Sequence, residues 1–180
     1  MPLDPQAEAF LKEMSDSGGG PFESMTPAEA RLAVLPFKEL GGAPEEVASV
    51  EHRFISGPTA DLPVWIYRPD GGSAGPQPGL IYFHGSGWVV ANIEVADNFS
   101  RSLANRTGCV VAAVNYQKAP EHKFPIPLDD CFAATRWVFD NATDLGLDAA
   151  RIGVIGDSAG GNLAAAVTLR ARAEHGPKLA

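Results

Sequence analysis

The chain has 180 residues, 45% of them hydrophobic and 20% charged, which is typical of a soluble globular domain with its own hydrophobic core. Its formal net charge of −8 argues against a surface that binds nucleic acid or an anionic membrane. No apolar run reaches the roughly 18 residues that a membrane span needs, and the N-terminus is too polar and acidic for a signal peptide.

Residues 1–45 are predicted to be helical. Four apolar residues recur at the i, i+3, i+4 and i+7 spacing of one helix face: Ala7, Phe10, Leu11 and Met14. The stretch SGGGP at residues 17–21 is predicted to break this helix. Thr26 and Glu29 form a capping-box pattern with Pro27 at the first helical position, which predicts a second helix. This helix is expected to end at the glycines of positions 41–42.

The pattern changes to strands near residue 50. Residues 50–56 and 62–68 are two predicted strands around a polar turn. A loop rich in proline and glycine follows at residues 69–78. Residues 80–83 are a short apolar run, which is typical of a buried strand.

From there the chain alternates between helices and strands. Residues 94–107 suit a helix whose apolar residues recur every four positions, at Val95, Phe99 and Leu103. Residues 109–114 are a continuous apolar run, as in strands that are covered on both faces. A helix is predicted to open at Pro127, since proline suits a first helical turn. Its inner face is expected to contain Leu128, Cys131, Phe132 and Thr135.

The last two predicted elements are a buried strand at residues 152–155 and a helix at residues 159–174. The apolar positions expected on this helix are Leu163, Val167 and Leu169. Two early strands followed by alternating helices and strands predict an α/β sheet, antiparallel at its start and parallel afterwards, with helices before it.

The sequence GDSAGG at residues 156–161 lies directly between a predicted strand and a predicted helix. Its G-x-S-x-G pattern is a weak signal by itself, but the context is that of a nucleophile elbow, in which the serine occupies a strained turn. Small residues at 156 and 160 would avoid clashes with neighbouring backbone, and the helix N-terminus would favour a developing oxyanion. Ser158 is therefore a candidate nucleophile. The alternative is a serine N-cap in a glycine-rich turn.

A second loop, YFHGSGW at residues 82–88, follows the predicted strand at 80–83. Glycines in a loop after this strand allow backbone N–H groups to approach a substrate oxygen, which would form the other half of an oxyanion hole. Ser86 occupies the variable position of His-Gly-x-Gly, where a third glycine is more common, and it still has an N–H to donate. Taken alone, the loop is also compatible with an ordinary turn at a strand end.

These loops, together with VNYQKAPEHKFPIPLDDC (114–131) and RIGVIGDSAGGNLAAAV (151–167), resemble the hormone-sensitive-lipase-like family of α/β-hydrolase esterases. The resemblance implies an α/β-hydrolase fold with a mostly parallel sheet flanked by helices. It also implies hydrolysis of short to medium acyl esters through a serine acyl-enzyme. Residues 1–45 would be a helical cap segment, and residues 46–180 the N-terminal part of the catalytic domain.

Position by position, the resemblance makes Ser158 the catalytic nucleophile. Backbone N–H groups of Ser86, Gly87 and Ala159 would form the oxyanion hole. Gly85 would give the loop its flexibility.

The resemblance also implies a set of supporting residues. His84 would hold the oxyanion loop, and Asp157, directly before the nucleophile, would be structural. Tyr116 and Glu121 match residues that buttress the site in the family. Trp88 is expected to line the substrate pocket, although plain packing explains it equally well.

The base and acid of a triad are not found in this chain. A serine hydroxyl needs a base that an acid orients, and in this fold the chain order is serine, acid, histidine. His175 lies at the far end of the helix that starts at Ser158, roughly 25 Å away at about 1.5 Å per residue. His52 and His122 precede the nucleophile and do not match the catalytic histidine. We therefore expect the acid and the histidine beyond residue 180, and no activity from the 180-residue chain alone.

Two alternatives to an esterase remain open from the sequence. One is a non-catalytic, small-molecule-binding protein on the same scaffold, as in plant gibberellin receptors, because a fold alone does not determine function. The other is an inactive truncated fragment, since a chain that is truncated after the nucleophile helix would leave the apolar strand at 152–155 as an exposed sheet edge.

No metal or organic cofactor is implied. Cys109 and Cys131 both lie in apolar stretches and are interpreted as buried free thiols, which fits a reducing cytoplasm. The expected partners are a small-molecule ester and the missing C-terminal portion or a complementing chain. A homodimer is a further expectation, and nucleic acid is not an expected partner.

Overall fold

The computed structural model describes residues 2–16, 20–72 and 75–180, so residues 17–19 of the predicted helix break lie outside the described residues. The described residues form one five-stranded sheet. Its strands are β1 (Ser49–Ser56), β2 (Asp61–Arg68), β3 (Gln77–Phe83), β4 (Val110–Val114) and β5 (Leu147–Gly156). The helices are α1 (Pro5–Asp16), α2 (Pro27–Ala33), α3 (Phe37–Leu40), α4 (Asp97–Thr107), α5 (Ile126–Asp140) and α6 (Ala159–Ala173).

The strand order is β1-β2-β4-β3-β5. Strand β2 is antiparallel to both of its neighbours, β1 and β4. Strand β3 is parallel to both of its neighbours, β4 and β5. Four of the five described strands therefore run in the same direction, and the expected α/β sheet with an antiparallel start is confirmed.

Helices cover both faces of the sheet. Because side chains alternate along a strand, Ile81 packs with α5 and α6 on one face, whereas Tyr82 packs with α4 on the other. All five residues of β4 are buried, which explains why its sequence is continuously apolar. The loops at the carboxyl ends of β3 and β5 are therefore held by a core on both sides.

Helix α2 begins with the predicted capping box. Thr26 Oγ1 accepts a hydrogen bond from the Glu29 N–H, and the Glu29 carboxylate accepts one from the Thr26 N–H. The helix ends at Ala33, however, and not at residues 41–42. Pro36 causes the difference, because proline lacks the N–H for a helical bond and its ring clashes with the preceding turn. The short helix α3 starts after it.

Helix α1 forms as predicted, but its apolar face is not packed. Phe10, Leu11 and Met14 are 40%, 52% and 38% exposed, and α1 contains no buried residue among those described. Periodicity identifies which face of a helix is apolar, and it does not identify what that face contacts. Within the described residues, no helix has the length and apolar character that a membrane crossing requires.

Two apolar residues of the predicted helical patterns are also exposed. Leu169 is 68% exposed, because the buried stripe of α6 follows Leu163, Val167 and Ala171 at a spacing of four. Phe99 of α4 is 49% exposed.

Candidate active site

The sequence between β5 and α6 forms a sharp turn with Ser158 at its tip. Ser158 has φ 50° and ψ −120°, a conformation that L-residues rarely adopt, and its side chain is exposed. Helix α6 starts at Ala159, so the first N–H groups of the helix lie beside the serine. A strained backbone of this kind is stable only where the surrounding structure imposes it, and it is common at active sites.

Close backbone approaches explain the glycines around Ser158. A Cβ on Gly160 would collide with the backbone of Phe83 and His84 at the end of β3. A Cβ on Gly156 would collide with the backbone of Gly160 and Gly161. The turn can therefore pack against β3 only when both positions lack a side chain.

The second predicted loop, His84–Trp88, follows β3 directly. Gly87 has φ +52° and Trp88 has φ +56°, whereas Ser86 does not lie in the left-handed region. A serine is therefore accommodated at position 86, and the positive angle next to it falls on a glycine.

The side chain of Ser86 joins a chain of hydrogen bonds behind the loop. The Trp88 N–H donates to Ser86 Oγ (2.9 Å), and Tyr116 Oη donates to the His84 carbonyl oxygen (2.6 Å). Because each hydroxyl has one proton, the 2.6 Å bond between Ser86 Oγ and Tyr116 Oη must use the Ser86 proton. The serine thus fixes the loop to Tyr116, which supports the loop as the resemblance implies.

Asp157 connects the two loops. Its Oδ1 atom accepts hydrogen bonds from the Gly85 N–H (2.9 Å) and from Tyr82 Oη (2.7 Å). Burial, together with the bond to Asp157, raises the pKa of the Tyr82 hydroxyl, which therefore remains a donor. A Cβ on Gly85 would collide with the Asp157 carboxylate. The residue before Ser158 thus holds the predicted oxyanion loop in place.

Three backbone amides at the junction are available to a ligand. Within the described residues, no hydrogen bond takes up the N–H of Ser86, Gly87 or Ala159. The Gly85 N–H, in contrast, is bound by Asp157. Free N–H groups of this kind are the donors of an oxyanion hole.

His84 is buried beneath this loop with 2% exposure, and its ring stacks on Tyr116 at 4.6 Å between centroids. Its Nδ1 atom lies 3.2 Å from the Gly85 carbonyl oxygen, and Nε2 has no hydrogen-bond partner within the part of the chain that is described. Burial, and then the charge of Lys118, lowers the pKa of His84 to about 4.

We expect His84 to make folding stability pH-dependent. Its pKa falls from the ordinary value of about 6.5 to about 4 on folding, so the unfolded chain binds the proton more readily between these values. The free energy of unfolding should decrease by up to about 3 kcal/mol as the pH falls from about 6.5 to about 4. Urea denaturation at several pH values measures this. His84→Gln should flatten the slope, whereas His175→Asn, at an exposed site with φ 51°, should not. Equal slopes in both variants would contradict the assignment.

The sequence analysis missed Arg31 on α2. Its guanidinium forms a two-pronged ion pair with Glu121, at 2.8 Å and 2.6 Å, and donates to the carbonyl oxygens of Val89 and Ala119, each at 2.9 Å. The bond to Arg31 lowers the pKa of Glu121 to about 2. Arg31 therefore connects the N-terminal helices to the segments that flank the site. Its partners lie up to 90 positions away in the sequence, so no local pattern reveals it.

Trp88 is 42% exposed and borders an apolar cavity of about 370 Å³ next to α6. The other residues that line it include Ala119, Phe124, Leu128, Asn162 and Leu163. Apolar cavities of this size beside a few polar groups are typical of small-molecule sites.

The histidines do not complete a triad with Ser158. None of the chain's four histidines, all of which the structure describes, forms a hydrogen bond to the serine. His52 stacks on Trp65 in the sheet, and His175 follows the far end of α6. The structure therefore brings together a strained serine and free amides, and none of the four described histidines is hydrogen-bonded to that serine.

Residues 80–180 match the α/β-hydrolase fold family. The arylesterase of Saccharolobus solfataricus is 38% identical over 96% of this chain and 56% of its own length. Carboxylesterase NlhH of Mycobacterium tuberculosis is 35% identical over 97% of this chain and 55% of its own length. The chain thus spans about half the length of the curated relatives it matches.

Solved structures show the same likeness. The ester-hydrolase EH1AB1 from the metagenome of Lake Arreo superposes with a TM-score of 0.93 at 42% identity, over 99% of this chain and 58% of that one. The esterase of Pyrobaculum calidifontis superposes with a TM-score of 0.90 at 35% identity, over 99% of this chain and 57% of that one. The chain belongs to the α/β-hydrolase fold family, in its hormone-sensitive-lipase-like branch.

Proposed function

We propose that the protein hydrolyses carboxylic esters with short to medium acyl groups through an acyl-enzyme on Ser158. The observation that carries this proposal is the strained Ser158 beside three free backbone amides. Relatives named arylesterase and carboxylesterase support the same class of reaction.

In the proposed mechanism, Ser158 Oγ attacks the ester carbonyl carbon, and its proton passes to a base. The N–H groups of Ser86, Gly87 and Ala159 stabilise the negative charge that develops on the carbonyl oxygen. The tetrahedral intermediate then collapses, which expels the alcohol and leaves the acyl group on Ser158. Water releases the acid in a second step of the same kind.

We propose that the base and its orienting acid come from outside residues 1–180, either from a continuation of the chain or from a complementing chain. The absence of a hydrogen bond between Ser158 and any of the four histidines that the structure describes supports this. The geometry of α6 supports it as well, because His175 lies roughly 25 Å from Ser158 along the helix.

We also propose that residues 1–45 form a cap segment at the site. A cavity of about 320 Å³ supports this, since it is shared by Phe22, Met25 and Ala30 with Ser86 and Gly87 of the oxyanion loop. The ion pair between Arg31 and Glu121 attaches the same segment to the domain.

A cytoplasmic location and a homodimer remain predictions. Cys131 is buried in the core as a free thiol and Cys109 is also unpaired, which fits a reducing compartment. Light scattering of the whole protein measures the oligomeric state.

The test of the esterase proposal is covalent labelling of the whole protein with an activated aryl phosphonate. We expect one phosphonyl adduct, mapped by peptide mass spectrometry to Ser158, and a parallel loss of p-nitrophenyl butyrate hydrolysis. Hydrolysis that continues after complete labelling, or an adduct elsewhere, would overturn the proposal. Ligand binding without any hydrolysis would support the receptor-like alternative instead.

A further inference from the structure

A third cavity, of about 660 Å³, opens between α2 and the segment that follows β4. Its walls include Arg31, Leu32, Leu35, Lys118, Glu121 and His122. No residue of the His84–Trp88 loop or of the 156–161 turn lines it among the described residues. We call it the α2 cavity, and it has no role in the proposed mechanism.

Lys118 lines the α2 cavity and forms no ion pair with a described residue, although its Nζ atom lies 5.4 Å from the centroid of the Tyr116 ring. Within residues 2–16, 20–72 and 75–180, no carboxylate oxygen lies within 4.0 Å of Lys118 Nζ. The ammonium donates instead to two neutral acceptors, Asn115 Oδ1 at 3.2 Å and the Tyr116 carbonyl oxygen at 3.1 Å. Because an ammonium has three N–H donors, one remains for another acceptor.

The neighbouring charges do not neutralise Lys118. Glu121 is engaged by both terminal nitrogens of Arg31, so this pair contributes no net charge. Burial, and then the charge of Arg31, lowers the pKa of Lys118 to about 8, while Asp130, Cys131 and Glu121 act in the opposite direction. A half-buried cation without an ionic partner is unfavourable, and an anion bound beside it would remove that cost.

The other walls of the α2 cavity favour an anion with an apolar part. Ala28, Leu32, Leu35 and Ala91 contribute aliphatic surface to the same cavity, and Leu32 is 67% exposed. An alkyl chain on these side chains would be removed from water, at about 25 cal/mol per Å² of apolar area.

We propose that the α2 cavity binds a monocarboxylate with a short alkyl chain, with the carboxylate on Lys118 and the chain against Leu32 and Leu35. The inference does not depend on the proposed esterase activity. A free fatty acid and the acid released by an ester hydrolase share this chemistry.

Isothermal titration of the whole protein with hexanoate tests the proposal, with hexan-1-ol as the uncharged probe. Lys118→Met keeps the aliphatic stem and should weaken hexanoate binding about tenfold or more, since a hydrogen bond to a charged group is lost. Lys38→Met, which removes an exposed positive charge on α3, should bind hexanoate as the unsubstituted protein does. Hexan-1-ol should bind much more weakly than hexanoate.

A second substitution locates the site. Leu32→Glu places a negative charge on a wall of the α2 cavity at an exposed helical position, and it should also weaken hexanoate binding. Undetectable hexanoate binding, binding that Lys118→Met leaves unchanged, or loss in Lys118→Met without loss in Leu32→Glu would each overturn the proposal. Unchanged binding in Lys118→Met would place the carboxylate elsewhere, including at Ser158. Loss in Lys118→Met alone would show that the alkyl chain does not lie against Leu32.

Discussion

Replacing Ser158 with alanine should reduce the turnover of p-nitrophenyl butyrate by the whole protein by about 10⁴-fold or more, the range seen when a serine nucleophile is removed. The alanine keeps the turn and its amides but has no oxygen to attack the ester. Steady-state hydrolysis at equal protein concentrations measures the effect, and the phosphonate should form no adduct with the variant. Turnover within about tenfold of the unsubstituted protein would contradict the role of Ser158.

A matched variant at the same position separates chemistry from folding. Ser158→Gly also lacks the hydroxyl, but glycine adopts φ 50° without the strain that a side chain causes. We expect Ser158→Gly to be as inactive as Ser158→Ala. Its free energy of unfolding, measured by urea denaturation, should exceed that of Ser158→Ala by about 1 kcal/mol. Equal stability would indicate that the turn is not strained.

The second large effect is expected from Gly160→Ala. The added Cβ would collide with the Phe83 carbonyl, a backbone atom of a buried strand that has no room to move. We expect the free energy of unfolding to fall by about 3 kcal/mol or more, because α6 must shift away from β3. Urea denaturation of the whole protein measures it, and turnover should fall in parallel.

Gly153→Ala is the control for that experiment. It adds the same methyl group to β5, where the new Cβ would lie 3.7 Å from Leu80 Cδ2, an ordinary contact. The expected change is within about 1 kcal/mol, and it can be favourable because alanine restricts the unfolded chain. A similar loss in both variants would show that the close approach of Gly160 to β3 is not what requires glycine.

The elements of this fold were accessible from sequence because their signals are local. Apolar runs marked β3, β4 and β5, and the capping box marked the start of α2. The two loops were identifiable because their backbone geometry excludes side chains, which leaves glycines at fixed positions such as Gly156 and Gly160. The end of α2 was also encoded, since Pro36 interrupts the helix before the glycines do.

Other features depend on contacts between distant positions, which a local pattern does not contain. In the sequence, Arg31 is indistinguishable from an ordinary charged residue of a helix. The fold brings Val89, Ala119 and Glu121 within hydrogen-bond distance of it. The apolar face of α1 shows the same limit, because periodicity predicted the helix but not what its apolar face contacts. Lys118 is a similar case. The sequence does not show that its ammonium donates to neutral oxygens and forms no ion pair among the described residues.

The register of the sheet has a consequence for how such a protein can diversify. Phe83 and Gly156 are partners in adjacent parallel strands, so the loops that carry the free amides and Ser158 begin one strand spacing apart, about 4.8 Å. Main-chain bonding sets that interval and does not depend on side-chain identity. The cavity beside Trp88, in contrast, is lined in large part by side chains of residues 119–128. In the proposed esterase, substitutions in this wall can therefore change the substrate preference while the spacing between Ser158 and the loop amides stays the same.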